Sequence, residues 1–482
     1  MTPHRVRILA RKFGLRERLP EACEAEADSL SVDLGGLEDL SHLPFVTIDE
    51  PHSKDLDQAL YVESREPGWV AWYAIADAAF FVHPDSALFA EALRRGATYY
   101  LPGLMVPMLP RRLCEDLVSI NPQVERRALV FRMEVAADGT ATATRVCRAH
   151  VRSRAKLHYD GVQAFLDGRS ESGCAEAEDS LRSLVDFGEA RLAHAEGRDV
   201  VHFHRRELEL CVGGQHLHVF AREDPRNDVE RYNEQLSLLA NIEGARLLAT
   251  AHDAWVQPVF RTHDPPAPER LMTLRRQLGI ITAARPDLAW DRGESLAAYI
   301  RRLPDEPMSQ VISRQVMRAG GRSGFSAEPG VHHGVGADVY ARFTAPMREV
   351  VGVFVHKEMW ELLAGGGRVD PEVQAAVIRA ASRAKSLQRR LDGACERIAL
   401  DRLFETRSHF EAIVMGLGKG RLHLQLLDPP LDVKLYLRDL PGARAAGIRL
   451  RRDGEEICRL GDVVTVCVQG LDERRNRWVL GL

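Results

Sequence analysis

Apolar residues recur along this chain with different periods, and the changes of period divide the chain into regions with different predicted secondary structure. From Asp370 to Leu400 they are spaced alternately by four and three positions, which predicts an amphipathic helix. Asp370 and Pro371 are suited to the N-cap and first turn of that helix. The stripe consists of Val373, Val377, Ala380, Ala384, Leu387, Leu391, Ala394 and Ile398. Core packing explains it without any function.

After this helix the period falls to two. Apolar residues alternate at Leu422, Leu424, Leu426, Val433, Leu435, Leu437, Val464, Val466 and Val468. Short alternating strands between glycine turns predict a small antiparallel β-barrel. Lys434, Tyr436 and Arg438 are expected on the opposite face of one strand. Basic and aromatic groups together suit single-stranded nucleic acid; a solvated strand face explains them equally well.

The long region before the helix mixes both periods. Strand-like segments such as "WVAWYAIADAAFFV" and "ALVFRMEVA" alternate with helical ones such as "VERYNEQLSLLANIEGARLLATAH". We therefore predict an α+β protein with a short helical segment at 1–43, a large mixed domain at 44–404 and the barrel at 405–482. In the first segment Ala10 and Gly14 have helix-turn-helix spacing, although two plain amphipathic helices explain them as well.

Composition narrows the class of protein. The 482 residues are 45% hydrophobic, yet no apolar run is long enough to span a bilayer and no signal core follows Met1. The eight cysteines are scattered without a C-x-x-C pair, so we expect reduced thiols in a cytoplasmic protein without a membrane partner. With a net charge of −4, a polyanion would need a local basic surface.

The segment "TIDEPHSKDLDQAL" concentrates negative charge beside apolar residues, which is costly unless the charge is neutralised. Asp55 and Asp57 would share one face of an extended segment, and a turn favoured by Pro51 would bring Asp49 to them. Oxygen ligands without His or Cys favour Mg²⁺ or Mn²⁺ over zinc. The spacing is not that of an EF-hand. Turn caps and salt-bridge partners are the alternative, and spacing alone leaves both open.

Several long segments carry a resemblance to a known family. "FVTIDEPHSKDLDQAL" resembles the catalytic signature of the ribonuclease II family. "YYLPGLMVPMLPRRLCEDLVSI" and "GFSAEPGVHHGVGADVYARFTAPMREV" resemble two further family segments in the same order, and the C-terminal barrel resembles an S1-type OB domain. The resemblance extends from about Phe45 to Leu482, which is far more specific than a single motif.

This resemblance implies a processive 3′-to-5′ exoribonuclease that hydrolyses single-stranded RNA to nucleoside 5′-monophosphates with a divalent metal. It implies a monomer. The predicted metal ligands are Asp49, Asp55, Asp57 and Gln58, with Mg²⁺ or Mn²⁺ as the ion. Arg348 would contact the scissile phosphate, and Tyr100 would stack on the 3′-terminal base. Lys434, Tyr436 and Arg438 are the predicted RNA-binding residues of the barrel.

Departures from the family pattern lead to further expectations. Gln58 stands in place of the fourth family aspartate and brings no charge. Three positions after Arg348 also differ: Glu349 replaces a basic residue of the family, Val350 an aromatic residue and Gly352 an aspartate. These changes predict weaker polar support around the site and a slower enzyme. Fewer than fifty residues precede Phe45, too few for a cold-shock barrel. We therefore hypothesise that structured RNA with a 3′ overhang is tolerated.

Two other function classes are compatible with the sequence. One is a non-catalytic RNA-binding protein on a decayed nuclease scaffold, which Gln58 and Gly352 favour and the retained aspartates disfavour. The other is a DNA exonuclease, which the 2′-hydroxyl dependence expected of RNA recognition would distinguish.

Overall fold

The structure is a computed structural model that describes residues 2–198, 200–201, 208–213, 216–221, 226–418 and 420–482. For residues 2–3, 208–213 and 216–221 only the secondary structure is considered. Helices and strands are both abundant, which confirms the predicted α+β class. Within these ranges, no helix combines the length and apolar character needed to cross a membrane.

The helices of the described ranges are α1 (Thr2–Lys12), α2 (Glu21–Ser29), α3 (Ala78–Phe81), α4 (Ala87–Arg95), α5 (Tyr159–Leu166), α6 (Glu178–Glu196), α7 (Asp228–Ala249), α8 (Pro268–Ile281), α9 (Leu296–Arg301), α10 (Pro307–Ala319), α11 (Val350–Ala364) and α12 (Pro371–Thr406). The predicted helix that starts at Pro371 is confirmed, and it continues beyond Leu400 to Thr406.

The strands of the same ranges are β1 (Glu38–Asp39), β2 (Thr47–Ile48), β3 (Gln58–Arg65), β4 (Gly68–Ala76), β5 (Tyr99–Leu101), β6 (Leu104–Val106), β7 (Glu125–Ala136), β8 (Ala141–Arg152), β9 (Lys156–Leu157), β10 (Leu208–Gly213), β11 (His216–Ala221), β12 (Phe260–Thr262), β13 (Gly324–Ser326), β14 (His409–Gly418), β15 (Arg421–Leu426), β16 (Asp432–Tyr436), β17 (Ala443–Ala446), β18 (Arg449–Arg452), β19 (Glu455–Arg459), β20 (Val463–Asp472) and β21 (Arg477–Gly481).

A five-stranded sheet in the order β1-β8-β7-β4-β3 forms the centre of the large region. Its hairpins are antiparallel, and only β1 runs parallel to its neighbour β8. Both sides of β4 and β7 are buried along much of their length, so this sheet lies inside the main hydrophobic core. Helices α6, α7 and α11 supply much of the packing around it.

The sequence prediction is wrong at the end of β4. The segment "WVAWYAIADAAFFV" reads as one strand, but the strand ends at Ala76 and the helix α3 follows. Asp77 lies between them and is buried, with its carboxylate 3.1 Å from an Arg148 Nη2 and 3.4 Å from the Arg127 Nε. These ion pairs hold the turn at Asp77, which the apolar pattern does not reveal.

The C-terminal region contains a five-stranded antiparallel sheet, β16-β15-β14-β20-β21, and a three-stranded sheet, β17-β18-β19. The alternating leucines of β15 are fully buried in a core shared by both sheets, as the period of two predicts. Residues of β14 also pack against α8 and α10 through a separate apolar cluster. Its assignment as an S1-type domain stays a prediction, as do the three domain boundaries.

Two short helices, α1 and α2, form the N-terminal segment, and Gly14 adopts a left-handed turn conformation (φ +77°) between them. The apolar face of α1, including Val6 and Ala10, packs against the β5–β6 hairpin and against α12. The predicted pair of helices is therefore present. Its role, including the helix-turn-helix reading, stays a prediction.

Candidate active site

The segment that carries the aspartates connects β2, which pairs with β9, to β3, which pairs with β4. It leaves β2 at Ile48, turns with Ser53 N donating to Glu50 O at 3.0 Å, and enters β3 at Gln58. Neighbouring backbone fixes its last residues: Leu56 N donates to the Ser119 hydroxyl at 2.9 Å, and Ala76 N donates to Asp57 O at 2.8 Å. Asp57 is consequently held rigidly, with only 2% of its surface exposed.

Arg348 approaches Asp57 from a distant part of the chain. The Arg348 Nε lies 2.6 Å from Asp57 Oδ2, and the backbone N–H of Met347 donates to Asp57 Oδ1 at 3.3 Å. The two residues are 291 positions apart, so the pair joins the aspartate segment to the loop that precedes α11. The predicted motif residues are therefore brought together in three dimensions.

Burial and charge act in opposite directions on this pair. Burial, reinforced by the charge of Asp55, raises the pKa of Asp57 to about 6 although Arg348 pulls it down. The charge of Asp57 in turn raises the pKa of Arg348. A buried carboxylate beside a permanent cation is the type of strongly perturbed group that occurs at functional sites.

Asp55 and Asp49 extend the acidic group toward solvent. Burial raises the pKa of Asp55, and the charge of Asp49 raises it further against the opposing effect of Arg348. Asp49 caps its own turn by accepting from the Ser53 hydroxyl at 2.8 Å and from Glu50 N at 2.7 Å. The three carboxylates are thus electrostatic neighbours. Two of them also have the structural roles that the sequence left open, since Asp49 caps a turn and Asp57 forms a salt bridge.

In the described part of the chain, no group of three His, Cys, Asp or Glu side chains is gathered tightly enough to enclose a metal ion. The ligand set that the family resemblance implies, which spacing alone left open, is therefore not gathered around one point in the described ranges. The donor set nevertheless fits a hard divalent cation, because it contains only oxygen ligands and because the repulsion that raises the pKa of Asp55 would be relieved by positive charge. The ligand roles stay a prediction.

Gln58 points away from Asp57, as consecutive residues of an extended chain do. Its Oε1 accepts from the Tyr73 hydroxyl at 3.0 Å, and its Nε2 donates to the carbonyl of Thr344. The side chain therefore anchors the loop that carries Arg348. This geometry favours a positioning role for Gln58 over the expected ligand role.

Tyr100 lies on β5, beside the same site. Tyr100 is 49% exposed as a residue, whereas its neighbours Tyr99 and Leu101 are buried. Partial burial and the charges of Asp55 and Asp57 raise the pKa of Tyr100 to about 12, although Arg348 opposes them. An exposed aromatic ring within electrostatic range of Arg348 is suited to stacking on a base whose phosphate reaches the guanidinium.

Two positions after Arg348 that differ from the family pattern, Glu349 and Gly352, make defined contacts. The Glu349 side chain is only 13% exposed, and its Oε1 lies 2.9 Å from Lys385 Nζ and 3.5 Å from an Arg342 Nη2, so it adds polar contacts where weaker support was expected. At Gly352 an added Cβ would lie 2.8 Å from the Pro346 Cα. Glycine therefore allows α11 to pack closely on the loop that carries Arg348.

Two buried polar residues that the sequence analysis missed support this loop. Asn241 on α7 accepts from Phe343 N at 2.7 Å and donates to the Thr344 hydroxyl at 3.1 Å. Tyr73 on β4 holds Gln58 and lies 2.6 Å from the Ser237 hydroxyl. The available signal was an asparagine inside an apolar run of a predicted helix, "LLANIEG".

The predicted RNA-binding residues of the C-terminal region are only partly on one strand. Lys434 and Tyr436 are on the outward face of β16, whereas Arg438 lies in the helical turn that follows. The guanidinium groups of Arg438 and Arg477 lie 5.0 Å and 4.5 Å from the centre of the Tyr436 ring. The Arg477 side chain is only 11% exposed and its guanidinium is paired with Asp439, so it packs against the Tyr436 ring without adding free charge to the surface.

Comparison with known proteins gives a consistent result. Residues 37–365 match the RNB domain. Ribonuclease R of Vibrio cholerae is 31% identical over 357 residues, which cover 73% of this chain and 42% of that protein. The chain spans about half the length of the ribonuclease R relatives that it matches.

Solved structures of Mycoplasma genitalium RNase R share the fold. The structure in complex with ribose methylated single-stranded RNA has a TM-score of 0.89, with 21% identity, 99% of this chain covered and 77% of the other. The structure in complex with double-stranded RNA has a TM-score of 0.83, with the same identity and 82% of that chain covered. At this identity the likeness shows the fold alone.

Proposed function

The chain belongs to the RNB-domain family, and from that premise we propose that it is a processive 3′-to-5′ exoribonuclease. Its substrate is single-stranded RNA, its products are nucleoside 5′-monophosphates, and it requires a divalent cation, Mg²⁺ with Mn²⁺ as an alternative. The observation that carries this proposal is the buried Asp57 carboxylate held 2.6 Å from Arg348, within electrostatic range of Asp55 and the exposed Tyr100.

The residues have complementary tasks in this reaction. Arg348 binds two oxygens of the scissile phosphate with its planar, permanently charged group. Tyr100 stacks on the 3′-terminal base without discriminating between bases, as a general degradative enzyme requires. Together they place the last phosphodiester bond next to Asp57 and Asp55, and the rigid backbone around Asp57 keeps this geometry in each cycle.

A divalent cation held by Asp49, Asp55 and Asp57 would activate a water molecule and neutralise charge on the phosphate. Asp49 accepts from the Ser53 hydroxyl and from Glu50 N in this structure, so as a ligand it would have to share its carboxylate between these donors and the cation. Arg348 would bind the substrate phosphate next to Asp57, from which its Nε lies 2.6 Å away.

The test uses RNA labelled at its 5′ end and product analysis by chromatography. With Mg²⁺ we expect nucleoside 5′-monophosphates and a ladder that shortens from the 3′ end, and with a chelator we expect intact RNA. Replacing the last riboses by deoxyriboses should slow release. Equal rates on RNA and DNA would contradict the proposal, and stable RNA binding without any product would favour the non-catalytic RNA-binding protein.

A finer proposal is that RNA duplexes with a 3′ overhang are also degraded. Its support is the shared fold with an RNase R that has been solved in complex with double-stranded RNA. Digestion of a hairpin with a 3′ tail should continue into the stem. A stop several nucleotides before the stem would contradict this part of the proposal while leaving the exonuclease itself intact.

A further inference from the structure

The segments that carry Tyr100 and Arg348 are joined directly by backbone hydrogen bonds. Thr98 N donates to Arg348 O at 2.9 Å, and Val350 N donates to Gly96 O at 3.1 Å. Between these bonds Ala97 and Glu349 form an antiparallel bridge. The bridge, which we call the 96–98/348–350 ladder, fixes the distance between the stacking residue and the phosphate-binding residue.

A short ladder of this kind requires support from outside, because two isolated strand segments are only marginally stable. The long helix α12 supplies that support. Its Gln388 donates to Tyr100 O at 3.2 Å. Gly96 lies so close to α12 that an added Cβ would approach the carbonyl oxygen of Ala380 to 2.6 Å. The segment of the ladder that leads to Tyr100 is therefore held against the helix on both sides of Ala97.

The second segment of the ladder is connected to α12 by charge, through its central residue Glu349. Lys385 lies three positions before Gln388, and its Nζ is 2.9 Å from Glu349 Oε1. The same oxygen faces Arg342 at 3.5 Å, and Arg261 is also in electrostatic range. Burial alone would raise the pKa of Glu349, but these cations outweigh burial and lower it. Glu349 is thus a largely buried anion surrounded by cations.

We propose that Glu349 is a positioning residue that binds the 96–98/348–350 ladder to α12 through Lys385 and so keeps Arg348 and Tyr100 in register on the 3′-terminal nucleotide. This inference rests on the proposed exonuclease function. Without the Glu349 carboxylate, Lys385, Arg342 and Arg261 repel one another around a largely buried position. The ladder then loses its second connection, and the base and phosphate contacts move independently.

The first measurement needs neither RNA nor metal. Amide hydrogen exchange is followed in peptides that contain residues 96–101 and 347–352, which include the ladder donors. Glu349→Gln and Lys385→Met should each accelerate exchange in both peptides by about tenfold or more. Lys385→Arg keeps the charge and should preserve protection. The control, Arg397→Gln, breaks an Arg397–Asp401 pair of 2.7 Å elsewhere on α12 and should change neither peptide.

The second measurement separates kcat from KM for mononucleotide release from single-stranded RNA. Misalignment of the reacting groups should lower kcat by about 10- to 100-fold in Glu349→Gln and Lys385→Met. KM should stay within about threefold, since Arg348 and Tyr100 remain able to bind. A general loss of folding would instead lower the active fraction at unchanged kcat, and Lys385→Arg should restore the rate.

The outcomes distinguish this inference from the proposed function. If the wild type releases no nucleotide, the proposed function fails, and the exchange experiment still decides whether Glu349 supports the ladder. If amide exchange in both peptides is unchanged in Glu349→Gln and Lys385→Met, the inference that Glu349 supports the ladder is wrong. Accelerated exchange with an unchanged kcat in an active enzyme would overturn its link to catalysis. Should Glu349→Gln fail to fold, Lys385→Met decides alone, because the Lys385 side chain is 41% exposed and tolerates replacement.

Discussion

The Arg348 guanidinium lies 2.6 Å from the Asp57 carboxylate and shields a charge that is otherwise buried beside the central sheet. The pair unites a group that can hold a cation with a group that can bind a phosphate. Further contacts connect the two segments, because Met347 N donates to Asp57 Oδ1 and the Gln58 side chain donates to the carbonyl of Thr344 in the loop that carries Arg348. Under the proposed function, Arg348 would exchange its contact with Asp57 for an oxygen of the substrate phosphate.

The geometry of the guanidinium gives a first prediction. Arg348→Ala should lower kcat by about 100- to 1000-fold, because a preorganised cation on the phosphate is lost. Arg348→Lys should recover only a small part of the kcat that Arg348→Ala loses, since an ammonium group cannot bind two phosphate oxygens in one plane. Steady-state kinetics on an oligoribonucleotide checks both. A lysine variant with the wild-type rate would show that charge alone is sufficient.

The exposed ring of Tyr100 gives a second prediction. Tyr100→Ala should raise the Kd for RNA by roughly tenfold or more, because base stacking contributes about 1–3 kcal/mol per base. Tyr100→Trp should retain tight binding of the 3′ end. Fluorescence titration with RNA that carries a 3′-terminal 2-aminopurine measures the effect. Leu104, on the neighbouring strand β6, offers a control, and Leu104→Val should bind as the wild type does. Equal affinities of all variants would exclude Tyr100 from the RNA path.

A third prediction concerns the basic surface of the C-terminal sheet. The double variant Lys434→Gln/Arg438→Gln should bind long RNA more weakly. The slope of log K against log salt concentration should become shallower by about 0.7 for each phosphate contact that is lost. A trinucleotide too short to reach this surface should be cleaved at the wild-type rate. Binding measured between 50 and 200 mM salt, roughly the range in which phosphate contacts dominate, checks this. An unchanged salt slope would assign these residues to a solvated face.

A fourth prediction follows from His356, which is buried on α11 with its Nε2 2.9 Å from the carbonyl oxygen of Phe343. Burial lowers the pKa of His356 to about 4 from an ordinary 6.5, although Asp77 and Phe343 oppose it. The unfolded chain therefore binds a proton below pH 6.5 that the folded chain does not bind until pH 4. The contribution of His356 to stability should therefore fall by roughly 2 kcal/mol between pH 7.5 and pH 5. The raised pKa of Asp57 acts in the opposite direction over the same range and offsets part of this loss.

Denaturant unfolding at pH 7.5 and pH 5 measures this loss. His356→Asn should show a smaller difference between the two pH values, and the exposed His4→Asn should behave as the wild type. His332 has a pKa lowered by burial in the same way, so part of the acid sensitivity should persist. An identical pH dependence for His356→Asn and wild type would contradict the assignment.

Much of the fold is readable from the sequence where one period dominates. The helix α12 and the alternating strands β15 and β16 follow directly from their patterns, because each buries one face against a neighbour. The turn at Asp77 does not follow, since its ion pairs come from Arg127 and Arg148, which are far away in sequence. Local periodicity carries no information about such distant partners.

The candidate site shows the same limit. Asp57, Arg348 and Tyr100 are recognisable because family motifs contain them, and the structure places them together. Gln58 was expected as a metal ligand because it stands in place of the fourth family aspartate, but its side chain contacts Tyr73 and Thr344 on the side of the strand opposite Asp57. Its partner Tyr73 and the supporting Asn241 lie on other elements, so only the three-dimensional structure reveals them.

The most direct test of the account compares the wild type with Asp57→Asn in a single-turnover measurement of nucleoside 5′-monophosphate release from 3′-labelled RNA with Mg²⁺. Because the ionised Asp57 is buried at a cost, the variant should fold at least as stably as the wild type, which thermal unfolding verifies. We predict rapid release by the wild type and a rate at least about 1000-fold lower for the variant. Equal release by both proteins would contradict the assignment of Asp57 to the active site, and release by neither would contradict the enzyme.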